Sequence, residues 1–136
     1  MGNRTRWKHQ PGRPRHRCPT TTVSIDEIKS RAEGEVLVMV LHPHFSANPY
    51  VYIAYDYKNE GDYKEKIVRH SFNGSELANP LTLIGNINAS GIHNGCHLLI
   101  KPDLKLFNTT GDASNQSDPR NNAALNGKIL RLNLDQ

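Results

Sequence analysis

Apolar residues fall into short runs separated by turn-forming clusters, and the longest of them is the aliphatic stretch Val36–Leu41. A second run, Tyr50–Tyr57, mixes β-branched and aromatic residues, and the intervening HPHFSANP carries turn formers, so the pattern predicts two strands and a loop. Lys66–Phe72 predicts a third strand running up to the turn Asn73-Gly74, with Pro80–Ile84 as the next. His97–Ile100 and Lys105–Thr109 flank KPDL, which reads as a hairpin turn headed by Pro102 and Asp103, and Lys128–Leu132 closes the series. Helical signal is confined to Ser24–Arg31, where Ser24 can cap, Glu27 follows three residues later, and Ile25 and Ile28 share a face.

About seven short strands at this spacing predict an all-β sandwich, barrel or propeller. A four-stranded blade cannot bury both of its faces alone and needs a neighbour. Seven strands would make somewhat under two blades.

Composition changes the picture mainly at the N-terminus. Six of the 17 Lys and Arg residues (Arg4, Arg6, Lys8, Arg13, Arg15, Arg17) precede the first of the 13 acidic residues, so the net charge of +4 belongs to a tail and the body is mildly acidic. Residues 1–22 have almost no aliphatic side chains to offset the entropy of ordering, which predicts a disordered basic arm. Such an arm could contact phosphates, but the acidic body argues against a nucleic-acid partner. The arm lacks the apolar stretch of a secretory signal. No run of about 18 apolar residues is present, so no membrane span is expected. Cys18 and Cys96 allow one disulfide at most, and nothing in the sequence brings the arm near Cys96.

The segment richest in candidate chemistry is GIHNGCHLLIKPDLKLFNTTGD, residues 91–112. Pairing its two strands around KPDL could bring His93 and Asp112 toward one edge of a sheet. A carboxylate beside an imidazole fixes its tautomer, as a general base requires. For an isolated His and Asp, serving only the turns they sit in is the commoner case. His42 and His44, two apart, would share one face of a strand and offer two metal ligands, short of the three usual in catalytic zinc sites; no metal site is expected. Tyr50, Tyr52, Tyr55 and Tyr57 form either a ligand-stacking stripe or packing. Asn73, Asn88 and Asn108 open NGS, NAS and NTT, the pattern of glycosylation acceptors.

An ordered series of motifs goes further. It comprises LHPHF (41–45), NPYVY (48–52), KIVR (66–69), HNG (93–95), PD (102–103), KL (105–106), TTGDASN (109–115) and LNGKILRLN (125–133). With these the chain resembles the glucose/sorbosone dehydrogenase family of PQQ-dependent sugar dehydrogenases. The resemblance covers about residues 24–136 and implies that 23–136 are part of a six-bladed propeller carrying pyrroloquinoline quinone and calcium. It implies that His93 takes the hydroxyl proton of an aldose or related sugar while hydride passes to the quinone, and that Asp112 orients His93. It implies a periplasmic or secreted setting. The residues that bind quinone and calcium would come from later blades, which makes this chain inactive alone and the remainder of the propeller its partner.

Several positions depart from the family pattern. His97 stands for the usual Arg, Lys101 for a common Gly, Leu104 for the turn Gly or Asn of PDGK, and Glu35 and Val38 for glycines. If position 104 needs positive φ, Leu104 carries a penalty of about 1 kcal/mol. These departures leave a second reading, a propeller fragment or binding module that has lost the activity.

Overall fold

The computed structural model describes Ile25 and residues 36–134. The proposed arm (1–22), most of the Ser24–Arg31 turn, and Cys18 therefore lie outside the described residues. Seven strands form: β1 (Val36–Leu41), β2 (Tyr50–Asn59), β3 (Asp62–Phe72), β4 (Leu77–Asn88), β5 (His97–Ile100), β6 (Lys105–Thr109) and β7 (Ile129–Asn133). The first four make one antiparallel sheet in chain order and the last three make a second. The fold is all-β, and among the described residues the only helical piece is a 3₁₀ turn at Asp118–Arg120.

Two strands outrun their expected limits by more than two residues. β3 begins at Asp62 rather than Lys66, because Glu60 and Gly61 (φ 51° and 101°) reverse the chain in a two-residue hairpin, pairing Asn59 with Asp62. Glutamate is not a usual left-handed residue, so NEGD hid this turn. β4 runs on both sides of Pro80–Ile84, with register shifts along its pairing to β3 and positive φ at Asn79 and Asn86. Pro80 is tolerated because β4 is an edge strand.

Strand alternation sorts the core into two clusters. On β2 and β3, Tyr52, Ala54 and Ile67 face the second sheet, where they meet Leu98, Leu106 and Leu134. Val51, Ile53, Tyr55 and Val68 face the other way, against Ile25, Phe45, Phe72 and Leu77. The four tyrosines divide between these clusters, Tyr50 and Tyr52 in one, Tyr55 and Tyr57 in the other, which is the packing alternative and not one stacking stripe.

Candidate functional site

Three loops meet at one end of the second sheet: residues 89–96 before β5, 110–115 after β6, and 125–128 before β7. Their contacts are too close for side chains at two positions. A Cβ on Gly111 would overlap the carbonyl oxygen of His93 and lie 2.6 Å from the carbonyl carbon of Asn94. One on Gly95, at φ +61°, would lie 2.8 Å from the Gly111 nitrogen. The glycines of HNG and TGD are thus the two sides of one contact.

Backbone bonds cross it. Gly111 donates its N–H to the Asn94 carbonyl, and Ala113 donates to the His93 carbonyl at 3.0 Å. Gly127 donates to the Gly111 carbonyl at 2.9 Å, and the Asn126 side chain donates to the carbonyls of Asn88 (2.8 Å) and Gly111 (3.2 Å). The Thr110 hydroxyl donates to the Leu125 carbonyl at 2.6 Å and accepts from the Lys128 N–H at 3.0 Å.

His93 and Asp112 are brought together by this lattice, with Nδ1 of the imidazole 3.6 Å from Oδ1 of the carboxylate. The His93 side chain is 66% exposed and that of Asp112 28%. His93 adopts φ 60°, and Asp112 is fixed in turn by the Ser114 N–H, which bonds Oδ1 at 2.9 Å. An imidazole held by its backbone, with one nitrogen toward a carboxylate and the rest of the ring in solvent, can accept a proton from a ligand hydroxyl.

Beneath the His93 loop lies a polar cluster enclosed between the sheets. Asn94 is buried; its side-chain N–H₂ donates to Asp56 Oδ2 at 2.7 Å and to the Ser90 carbonyl at 2.8 Å, and its oxygen accepts the Ser90 N–H at 2.7 Å. Asp56 on β2 pairs with Glu65 on β3, and both are fully buried. Asn108 donates to Glu65 Oε1 at 3.4 Å and accepts a bond from the Cys96 thiol at 3.1 Å. Burial pushes the Asp56 carboxyl up to about 6 against the opposing bond from Asn94, and pushes Glu65 up to about 8, with Asn108 opposing and the Asp56 charge adding. Burial and then the Glu65 charge raise the Cys96 thiol as well, which leaves it a protonated free cysteine.

The sequence reading passed over these buried polar residues beneath the candidate site. Alternation carried the signal: with Tyr52 and Ala54 facing inward, Asp56 must follow them, and a carboxylate on a core face is exceptional.

Other candidates resolve differently. His42 and His44 lie in the loop after β1 and not along a strand; the buried His42 accepts the His44 N–H on Nδ1 at 3.1 Å. Burial, then the neighbouring His44, lowers the pKa of His42. Asn108 is buried in the carboxyl cluster, out of reach of any glycosylating enzyme, and Asn73 caps its own turn by accepting the N–H groups of Ser75 and Glu76.

The profile of the family "Glucose / Sorbosone dehydrogenase" matches residues 12–136. The chain belongs to that family. Quinoprotein glucose dehydrogenase B of Acinetobacter calcoaceticus is 30% identical over 144 aligned positions, which cover 85% of this chain and 30% of that protein. The PQQ-bound aldose sugar dehydrogenase of Streptomyces coelicolor superposes with a TM-score of 0.70 at 28% identity, covering 80% of this chain and 33% of that one. The soluble aldose sugar dehydrogenase of Escherichia coli, in its apo-form, shares the fold at 18% identity and a TM-score of 0.72, covering 79% of this chain and 33% of that one.

This member of the glucose/sorbosone dehydrogenase family thus spans about a third of the length of the relatives it matches, and its two sheets are a partial β-propeller. Among the described residues no group of three or more His, Cys, Asp or Glu side chains could hold a metal ion. Lys128, in the loop before β7, donates to the carbonyls of Asp118, Pro119 and Asn126. Among them, no helix is long and apolar enough to cross a membrane.

Proposed function

We propose that this chain carries the proton-abstracting part of a PQQ-dependent sugar dehydrogenase acting on an aldose or related sugar. The observation that supports it most is the His93–Asp112 arrangement, 3.6 Å apart at the meeting of two glycine-linked loops. In this reading the proton on Nδ1 faces Asp112, and Nε2 accepts the proton of the sugar hydroxyl as the C–H bond gives up its hydride. Asp112 holds the ring in that tautomer and offsets the positive charge it gains. The quinone is the hydride acceptor that family membership suggests. It and its calcium are held by the remainder of the propeller, which makes this polypeptide silent on its own.

By the same kinship we place the working protein in the periplasm or outside the cell.

The test compares the chain alone with a chimera in which it replaces the matching third of the Acinetobacter quinoprotein glucose dehydrogenase. The expected result is no dye reduction by the chain with PQQ, calcium and glucose, dye reduction by the chimera, and loss of at least about 10²-fold in kcat on His93→Ala. Equal turnover by the chimera and its His93→Ala variant would refute the assignment of the base. Inactivity of a folded chimera that binds PQQ would favour the non-catalytic reading, to which the departures at His97, Lys101 and Leu104 already lean.

A further inference from the structure

Nothing in the proton-abstraction reading uses the buried carboxylate Asp56, yet it is one covalent residue and one hydrogen bond away from His93. We propose that Asp56 is a positioning residue for the base: by accepting the Asn94 side-chain N–H across the sheet interface, it clamps loop 89–96 and thereby sets the His93–Asp112 geometry. The inference rests on the assignment of His93 and Asp112 given above.

The connection can be followed atom by atom. Asp56 sits on β2, paired with Glu65 of β3 in the first sheet, and takes the Asn94 N–H₂ at 2.7 Å. The same Asn94 side chain closes loop 90–94 through Ser90, donating to its carbonyl and accepting its N–H. The Asn94 carbonyl receives the Gly111 N–H and the His93 carbonyl receives the Ala113 N–H, on either side of Asp112. Freeing the Asn94 side chain would thus release both loops at once, since Gly95 and Gly111 have no side chains to pack in its place.

The acceptor is also a group that titrates near neutrality. A carboxylate accepts the Asn94 bond with charge assistance, and a carboxylic acid accepts it weakly or turns its own proton toward it. Asp56 Oδ1 is buried without a hydrogen-bond partner, so protonation has an oxygen to go to. Glu65, across from Asp56 on β3, and the Cys96 thiol are the titratable groups that interact with it; both keep their protons through neutrality. The clamp loosens as pH falls through about 6, where burial has put the Asp56 carboxyl.

Amide hydrogen exchange on the intact chain tests this without any activity assay. The protection factors of Gly111 and Ala113, corrected for intrinsic rates, should fall about tenfold between about pH 7.5 and pH 5. In Asp56→Ala they should be low at both pH values while β2 and β3 amides stay protected. Asp56→Asn, whose amide oxygen still accepts from Asn94 but does not titrate, should restore protection and abolish the pH dependence. Protection in Asp56→Ala equal to wild type, or the same pH dependence in Asp56→Asn as in wild type, overturns the proposal. The His93 assignment fails separately, if the chimera keeps its turnover on His93→Ala while the amides respond to Asp56 as described.

Discussion

Leu104 takes φ 57° at the end of the KPDL turn, with its N–H donating to the Lys101 carbonyl at 2.9 Å. An L-residue with a branched side chain is strained there by about 1 kcal/mol relative to glycine. Its side chain packs against the cluster of Leu98, Leu106 and Leu134, and this burial offsets the strain. Alanine and glycine at this position both forfeit the burial, but only alanine retains the conformational penalty. Leu104→Gly should therefore be more stable than Leu104→Ala by about 1 kcal/mol in urea unfolding, although both fall below the parent. The opposite order would mean that the turn abandons the left-handed conformation. The strain could be read from PDLK because a turn glycine is wanted there. The offsetting burial could not, because it depends on which sheet faces the turn.

At the scale of elements, the two central strands of the first sheet carry a carboxyl pair into their inner face. Asp56 and Glu65 are opposite each other, one oxygen of each is buried without a hydrogen-bond partner, and both bind protons more tightly than the ordinary values of 3.8 and 4.5. Both shifts are upward, so their contribution is most favourable below the unfolded values. It is lost as pH rises, through about 6 for Asp56 and about 8 for Glu65. Unfolding by urea should become easier between about pH 5 and pH 9 by on the order of a few kcal/mol. Glu65→Gln, neutral and of the same shape, should flatten the upper half of that dependence and exceed wild type in stability at about pH 9. An unchanged slope in this variant would show that Glu65 ionises freely in the fold. Strand positions were legible where aliphatic, β-branched or aromatic residues clustered, as in β1 and β2, and where a turn signal separated two short runs, as KPDL does between β5 and β6. They were not legible where a left-handed Glu60 reversed the chain or where Asn79 and Asn86 absorbed extra residues in β4, since propensity says little about either.

Over the whole molecule, the site exists because two sheets are held against each other. His93, the proposed base, and Asp112 come from loops flanking β5 and β6, whereas the group proposed to steady them comes from β2 in the other sheet. Sequence order could suggest the first association, because a hairpin brings residues 93 and 112 to one edge. It could not suggest the second, which links residues 38 positions apart through a packed interface. That interface is built around Leu106, fully buried from the second sheet against Tyr52, Ala54 and Ile67 of the first. Leu106→Ala should cost about 2–5 kcal/mol, the range for emptying a buried leucine site. The test of coupling lies in where the loss is felt. If the sheets unfold as one unit, amides of β2 and β3 should exchange faster by the factor that equilibrium unfolding predicts, although no residue of either strand has changed. If exchange accelerates only in β5, β6 and β7, the first sheet is stable by itself. The Asp56–Asn94 bond would then join two independently folding parts, and the His93 loop could open without any cost to β2.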